Sequence, residues 1–100
     1  MDKYKIKLLR RAYKDIDLIY GYISEEFKAP ESAKNMVDSI EVMIFGLEEF
    51  PYRGAERKVG VYANKAYRQL FVKNYTVVYR IDEKEKQVVI VTVRYSPSQF

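Results

Sequence analysis

A run of β-branched residues near the C-terminus most constrains what this chain can fold into. Residues 87–95 have the sequence QVVIVTVRY, in which six consecutive positions are Val, Ile or Thr. Branched side chains favour extended backbone, and an apolar run without polar alternation is typical of a strand that is buried on both faces. The sequence therefore predicts an interior strand at Gln87–Tyr95, with other strands and helices around it.

Two shorter strand patterns precede this run. They cover Ala66–Val72 and Tyr75–Ile81. The two residues between them, Lys73 and Asn74, predict a tight hairpin turn in which the asparagine tolerates positive φ. The polar run Asp82–Lys86 predicts the turn into the last strand. We therefore expect three consecutive strands in the second half of the chain.

In the first half of the chain the apolar pattern changes from a period of two residues to the helical period. Tyr4–Leu8 alternates apolar and charged side chains, which predicts an edge strand carrying lysines. From Ala12 the apolar residues follow helical spacing, and this first helix ends near Phe27. A second helix opens at Pro30 and ends around residues 46–49. The short connection between them predicts a helical hairpin.

The order β-α-α-β-β-β predicts an α+β fold for residues 1–100, taken as one domain. The helical hairpin packs on one face of a mainly antiparallel, twisted sheet, and the other face stays at least partly open. A basic loop at residues 51–64 carries a short strand at Val59–Tyr62. Strict alternation along the last strand puts Arg94 on the side of Ile90 and Val88, but it leaves undecided which side is open.

The absence of cysteine and histidine excludes several kinds of chemistry. Thiol nucleophiles, Cys/His zinc sites, Ser-His-Asp triads and histidine acid–base catalysis all need residues that this chain lacks. Any chemistry depends on Lys, Arg, Tyr, Glu, Asp, Ser or Thr, and we expect neither metal nor cofactor. No apolar run approaches the length of about 20 residues needed to cross a bilayer, and the N-terminus does not resemble a signal peptide. We expect a cytoplasmic protein.

Charge is strongly segregated along the chain. Residues 1–14 carry a net charge of +5, residues 15–50 carry −7 and residues 51–100 carry +6. Such a distribution suits a polyanion or an acidic protein as the partner of one face. The alternative is a solvated surface whose charges happen to be unevenly spread.

Four motifs follow one another along nearly the whole chain. They are Ala12-x-x-Asp15 with Ile19 and Tyr22-Ile23; Phe50-Pro51-x-x-Gly54; Tyr67-Arg68-x-Leu70-x-Val72 with Asn74-Tyr75, Val77 and Tyr79-Arg80-Ile81-Asp82; and Val88-x-Ile90-x-x-Val93-x-Tyr95. In this order and spacing they resemble toxins of the RelE/ParE superfamily, which belong to type II toxin–antitoxin modules and include plasmid stabilisation toxins.

The resemblance implies a partner and two possible targets. The partner is a cytoplasmic antitoxin that wraps the toxin, and the two form a hetero-oligomer. RelE-like members cut mRNA on the ribosome without a metal, whereas ParE-like members poison DNA gyrase and cut nothing themselves. A third possibility is a degenerate member that binds an antitoxin and is no longer toxic.

The resemblance is weakest at the positions where RelE-like members carry the residues that cut mRNA. RelE-like nucleases often carry an arginine where this chain has Thr76, and members with an R-Y-H-Y tail use its histidine where this chain has Ser96. Neither side chain carries positive charge or shuttles protons at neutral pH. The resemblance therefore favours gyrase poisoning slightly over mRNA cleavage.

Other residues remain as site candidates. The candidates for catalysis are Arg94, Tyr95, Arg68 and Arg80. The candidates for binding nucleic acid or another target are Arg53, Arg57, Lys58, Lys65 and Lys73. Several candidates have a structural alternative. For Arg68 it is an ion pair with Glu48 or Glu49 that ties the loop to the sheet, and for Arg94 it is a surface ion pair. For Tyr95 the alternative is a place in the core, and for the loop bases it is a solvated charge.

Overall fold

The computed structural model describes residues 3–63 and 65–97, and its elements follow the predicted order with one short strand added. The helices are α1 (Arg10–Glu26) and α2 (Pro30–Phe45). The strands are β1 (Lys5–Leu8), β2 (Ala55–Glu56), β3 (Arg68–Val72), β4 (Tyr75–Asp82) and β5 (Gln87–Tyr95). Two single turns of 3₁₀ helix, Gly46–Glu48 and Pro51–Arg53, lie between α2 and β2.

The starts of the two helices follow from local chemistry. Pro30 occupies the first turn of α2, where its fixed φ suits the helix and its missing N–H costs no hydrogen bond. Glu31 follows in the same turn and complements the positive end of the helix dipole. α1 begins at Arg10, two residues before the predicted start, and ends close to the predicted position.

The five strands form one sheet in the order β1-β5-β4-β3-β2. β1 is an edge strand and runs parallel to β5, whereas the other neighbours are antiparallel. β5 therefore lies between β1 and β4. Both sequence predictions for these strands are confirmed, the interior position of β5 and the edge position of β1.

The helical hairpin covers one face of this sheet. The inward side of α2 is a stripe of residues spaced by three or four, which is the helical period. The buried contacts on this face come from Ala12 and Ile19 of α1, from Met36, Ile40 and Ile44 of α2, and from Leu70, Val72, Val77, Tyr79, Val88, Ile90 and Val93 of the sheet. Full burial of one such aliphatic side chain stabilises the fold by about 1.5–3 kcal/mol.

A β-bulge in β5 changes which side chains share a face. Val78 of β4 pairs with Thr92, but the next residue, Tyr79, pairs with Ile90, so Val91 is an extra residue. One extra residue reverses the alternation of every side chain that follows it. Ile90 therefore points to the helices, while Thr92 shares the opposite face with Val78.

Because of the bulge, Arg94 lies on a different face of the sheet from the predicted one. Arg94 pairs with Thr76 and Val89 pairs with Arg80, so both arginines lie on the face turned away from the helices. The prediction that Arg94 shares a side with Ile90 was wrong, because strict alternation does not hold across a bulge. This face is partly open: Arg80 is exposed, whereas Thr76 and Val89 are buried.

The loop before β3 also differs from the prediction. Val59–Tyr62 forms bends and turns, and the short strand lies earlier, where Ala55 and Glu56 pair with Gln69 and Arg68. A short strand in this region forms only where its backbone meets a partner strand, and local strand propensity does not predict where that is. In the β3–β4 hairpin the residue with positive φ is Lys73, at 55°, rather than the predicted Asn74.

Candidate functional site

The ends of β4 and β5 bring together the two positions at which the resemblance expects catalytic side chains. Thr76 is buried in β4, and Ser96 directly follows β5. Thr76 Oγ1 lies 2.8 Å from Ser96 Oγ, so the two hydroxyls share a hydrogen bond. The Ser96 backbone N–H also donates to the Asn74 carbonyl at 2.7 Å. Two neutral hydroxyls bonded to each other supply neither positive charge nor a proton shuttle.

Arg94 lies beside this hydroxyl pair, since it is paired with Thr76 across the sheet. The side chain is half-buried, and its Nε donates to Thr92 Oγ1 at 3.3 Å. The Thr92 hydroxyl in turn donates to Asp15 Oδ2 of α1. The predicted site residue is therefore held by two residues for which the sequence suggested no functional role.

Tyr95 is half-exposed and faces Tyr75, with the two ring centroids 5.9 Å apart in an edge-to-face arrangement. Burial raises the pKa of Tyr75, and the neighbouring phenols of Tyr22 and Tyr95 raise it further. Tyr75 therefore keeps its proton at neutral pH. The pair offers aromatic contact area and hydroxyl donors, which suits binding better than acid–base catalysis.

A groove of about 1260 Å³ runs between the C-terminal half of α1 and the ends of β4 and β5. Its apolar lining includes Leu18, Tyr22 and Phe27, which are 66%, 56% and 64% exposed. Acidic side chains also line it, namely Asp15, Asp17, Glu25 and Glu26. Single exposed apolar residues are ordinary, but a contiguous group of them beside charged residues marks an interaction surface.

Arg68 ties the loop after α2 to the sheet. Its Nη2 donates to the carbonyls of Tyr52, at 3.2 Å, and Gly54. The guanidinium also lies 5.2 Å from the centre of the Tyr52 ring. The partners are carbonyls and an aromatic face, rather than the carboxylates of Glu48 or Glu49.

Arg57 is not on the surface, where a phosphate-contacting residue was expected. It is 6% exposed, and its Nη1 donates to Gln69 Oε1 at 2.7 Å while its Nε donates to the Val59 carbonyl at 3.1 Å. Its backbone N–H donates to the Tyr67 carbonyl at 2.8 Å. Arg57 therefore holds the loop against the sheet. The prediction that it is an exposed base was wrong, since its charge forms these internal bonds.

The remaining predicted bases are exposed but do not form one cluster. They are Arg53, Lys58, Lys65, Lys73 and Arg80. Lys73 lies in the hairpin turn beside the ends of β4 and β5, close in the fold to Arg94 and Tyr95. Arg53 lies instead in the 3₁₀ turn beside Phe50 and Tyr52. The structure brings Arg94, Tyr95 and Lys73 to one end of the sheet and separates the others from it.

Asp15 and Thr92 are the functional candidates that sequence reasoning missed. Asp15 stood within the first motif, but no partner was predicted for it. A usable signal was present, because the predicted β1 spans five residues and the predicted β5 spans nine. A long strand beside a short parallel neighbour leaves part of its edge unpaired, and an edge N–H needs an acceptor.

Neither a metal site nor a membrane span is evident in the described ranges. Across residues 3–63 and 65–97, no three or more acidic side chains are grouped so that they could hold a metal ion. Over the same residues, neither helix is long and apolar enough to cross a membrane. The described site consists of arginine, lysine, tyrosine and hydroxyl groups, together with the Asp15 carboxylate.

Comparison with known proteins identifies the family. A profile of the family described as the ParE toxin of the type II toxin–antitoxin system parDE matches residues 6–99. The chain belongs to the ParE toxin family. The predicted membership of the RelE/ParE superfamily is thereby confirmed. No curated protein sequence matched this ParE-family chain significantly.

Solved structures share the fold of this ParE-family chain. A chain of the chromosomal ParDE toxin–antitoxin system from P. aeruginosa has a TM-score of 0.76 and 23% identity, over 93% of this chain and 96% of that one. A chain of the RelBE2 toxin–antitoxin complex from Mycobacterium tuberculosis has a TM-score of 0.68 and 22% identity, over 95% and 93%. The YoeB/ParE toxin from Agrobacterium tumefaciens has a TM-score of 0.62 and 17% identity, over 91% and 96%. The predicted helical hairpin on a mainly antiparallel sheet is confirmed.

Proposed function

We propose that this chain arrests growth by poisoning DNA gyrase and does not cut nucleic acid itself. The observation that carries the proposal is the hydrogen bond between Thr76 and Ser96. These are the positions at which mRNA-cleaving relatives are expected to carry arginine and histidine. A hydroxyl pair at these two positions supplies neither the charge of that arginine nor the proton transfer of that histidine, and the ParE family match agrees with this proposal.

The chemistry of RNA cleavage explains why this pair matters. A metal-independent ribonuclease removes a proton from a ribose hydroxyl and stabilises negative charge on the phosphate. Thr76 and Ser96 carry neutral hydroxyls, which are poor general bases, and these hydroxyls are already hydrogen-bonded to each other. Tyr75 has its pKa raised by burial, so it does not supply the missing base either.

The end of the sheet is better suited to binding than to cleavage. We assign the target contacts first to Arg94, Tyr95 and Lys73, which the fold brings to one end. Arg80 shares a face with Arg94 but lies towards the other end of β4, so it is peripheral, as are Arg53, Lys58 and Lys65. Arg68 and Arg57 support the loop and are assigned no target contact.

The groove beside α1 is the proposed docking site of the antitoxin. Two of the similar solved structures are described as a ParDE system and a RelBE2 complex of toxin and antitoxin. The exposed Leu18, Tyr22 and Phe27 offer anchor points for the apolar face of an amphipathic segment. Because antitoxin and gyrase are both cytoplasmic under this proposal, the toxin is placed in the cytoplasm as well.

The test compares the two targets with one preparation of purified toxin. In the first assay the toxin is incubated with gyrase, ATP and supercoiled plasmid, and protein-linked DNA breaks are counted after denaturation. In the second it is added to a translating extract, and mRNA ends are mapped. We expect DNA breaks and intact mRNA. Site-specific mRNA cleavage would overturn the proposal in favour of the RelE-like activity.

Matched variants connect the result to the site. Arg94→Ala is expected to reduce DNA breaks at least tenfold, whereas Lys84→Ala, which removes an exposed base from the opposite turn, leaves them unchanged. If both assays stay negative and expression without the antitoxin leaves growth unaffected, the chain is a non-toxic family member. Phe27→Ala is expected to weaken binding of the cognate antitoxin, and Tyr13→Ala is the exposed control from the same helix.

A further inference from the structure

Two hydrogen bonds connect α1 to the end of β5, and a third bond within β5 links them to Arg94. Arg94 Nε lies 3.3 Å from Thr92 Oγ1, and Thr92 Oγ1 bonds to Asp15 Oδ2. The same carboxylate oxygen accepts the backbone N–H of Val93 at 3.1 Å. Thr92 is fully buried, and Asp15 and Arg94 are half-buried. These bonds therefore lie mostly out of contact with water, where each is worth more than at an exposed surface.

The topology of the sheet explains why a carboxylate is needed here. β1 pairs with β5 only as far as Leu8 opposite Ile90, and the Leu9 N–H then donates to the Ile90 carbonyl at 3.0 Å. The chain turns into α1 at Arg10, while β5 continues to Tyr95 without β1 beside it. Val93 N–H is on this unpaired edge, and Asp15 supplies its acceptor.

The direction of each bond is determined by the groups involved. A carboxylate only accepts, so the Thr92 hydroxyl must direct its single proton to Asp15. Arginine only donates, so Thr92 must accept from Arg94 Nε with a remaining lone pair. Asp15 therefore fixes the direction of the Thr92 proton, which leaves a Thr92 lone pair free to accept from Arg94 Nε.

We propose that Asp15 and Thr92 are positioning residues that fix the guanidinium of Arg94 for contact with the toxin's target. The proposal rests on the proposed function, in which Arg94 is a target contact. A free arginine side chain loses rotamer entropy when a partner immobilises it. Holding Nε in advance removes part of this cost before the target arrives. The bulge at Val91 contributes by placing both Thr92 and Arg94 on the face turned away from the helices.

The first experiment tests the positioning without any target. Hydrogen exchange of the arginine Nε–H groups is measured by NMR on the isotope-labelled full-length chain. We expect the Arg94 signal to exchange slowly in the wild type and about tenfold faster in Thr92→Val, which keeps the side-chain shape but removes the hydroxyl. Thr92→Ser restores the hydroxyl and the slow exchange. Asp15→Asn tests the carboxylate at the α1 end of these bonds. Asp17→Asn, on the same helix, is the control that leaves the Arg94 exchange rate unchanged.

The second experiment tests whether positioning matters for activity. The toxin concentration that gives half-maximal DNA breaks is compared in a double-mutant cycle of Thr92→Val and Arg94→Ala. We expect Thr92→Val to raise this concentration about tenfold alone and not at all in the Arg94→Ala background. An equal effect in both backgrounds would mean that Thr92 acts through the fold, and it would overturn the proposal.

The two experiments separate this proposal from the proposed function. If the wild-type toxin affects neither gyrase nor translation, the proposed function fails, and NMR exchange alone decides whether Asp15 and Thr92 hold Arg94. Unchanged exchange in both Thr92→Val and Asp15→Asn, with both variants folded by circular dichroism, would overturn the positioning whatever the target is.

Discussion

The Tyr79 hydroxyl lies 3.0 Å from the backbone nitrogen of Gly54 and accepts its N–H. The same hydroxyl donates to the Pro51 carbonyl at 2.8 Å, and Tyr79 is completely buried. One phenol in the middle of β4 thus satisfies two backbone groups of the loop after α2. Pro51 and Gly54 of the Phe50-Pro51-x-x-Gly54 motif are therefore held by the same hydroxyl.

Tyr79→Phe should destabilise the fold without altering its packing. The variant keeps the ring but leaves the Gly54 N–H and the Pro51 carbonyl without their buried partner, which costs about 1–3 kcal/mol. Urea denaturation followed by circular dichroism measures the difference. Tyr13→Phe is the control, because Tyr13 is 59% exposed and should leave the free energy of unfolding unchanged. Equal stability of Tyr79→Phe and the wild type would contradict the contact.

Gly54→Ala should destabilise the protein more than Tyr79→Phe. A Cβ at Gly54 would lie 2.3 Å from the Gln69 carbonyl oxygen and 2.7 Å from Tyr79 Oη, so backbone must move to admit it. Gly21→Ala is the matched control, because nothing lies within 4 Å of the added methyl group inside α1. There we expect a gain of about 0.5–1 kcal/mol from the lower chain entropy of the unfolded state. A similar effect of both substitutions on the melting temperature would be inconsistent with the close approach.

Arg57→Ala and Lys58→Ala should differ sharply although the two residues are neighbours. Arg57 is buried and bonded to Gln69 and Val59, so its loss removes two hydrogen bonds of a charged donor and costs about 2 kcal/mol. Lys58 is exposed, and its loss should change stability by less than about 0.5 kcal/mol. Thermal unfolding of both variants is the measurement. The reverse ranking would refute the assignment of Arg57 to the loop support.

The double variant Thr76→Val with Ser96→Ala should remain an active toxin. It removes one hydrogen bond, which costs about 1 kcal/mol of stability, but no catalytic group under the proposed function. Growth arrest after induction, together with the count of gyrase-linked DNA breaks, is the measurement. Loss of arrest in a folded double variant would assign the hydroxyls a direct part in activity.

Stability should depend on pH through Glu83. The Tyr4 hydroxyl donates to Glu83 Oε1 at 2.5 Å and Lys86 donates to the same oxygen at 3.1 Å. These bonds, the Tyr4 bond foremost, hold the pKa of Glu83 below its ordinary value. A carboxyl with a lowered folded-state pKa stabilises the fold above its unfolded pKa of about 4. That contribution is lost as the pH falls through the folded value.

At alkaline pH the change of folding stability with pH has the opposite sign. The hydrogen bonds to Glu83 raise the pKa values of Lys86 and Tyr4. Their contribution is present below their unfolded pKa values and is lost as the pH rises through the folded ones. The difference in unfolding free energy between wild type and Glu83→Gln should be largest near neutral pH and smaller at both extremes. Because the cluster is exposed, added salt should reduce the difference, and a difference independent of pH would rule the cluster out.

Local pattern was enough to predict most of the elements. The apolar run at Gln87–Tyr95 predicted an interior strand, and helical spacing predicted the two helices to within two residues at their starts. These predictions depend on periodicity and on Pro30. Both are local signals that extend over a few residues, so they can be read without knowing which elements pack together. Pairing in the loop was not predictable in the same way, because β2 exists only through its bonds to Gln69 and Arg68.

The candidate site was less predictable than the fold. The sequence singled out Arg94 and Tyr95, and it pointed to Thr76 and Ser96 as the positions that matter. It did not distinguish Arg57 from Lys58, since burial depends on how the loop folds back onto Gln69. It also missed Asp15 and Thr92, whose contact joins residues separated by 77 positions.

The sequence by itself determined the order and type of the elements, the absence of histidine and cysteine chemistry, and the bases at the C-terminal end. Only the tertiary structure decided which face each base occupies. One extra residue, Val91, reverses the alternation of β5 and moves Arg94 to the side of Arg80. A bulge forms through pairing with a neighbouring strand, so a pattern of period two within one strand contains no signal for it.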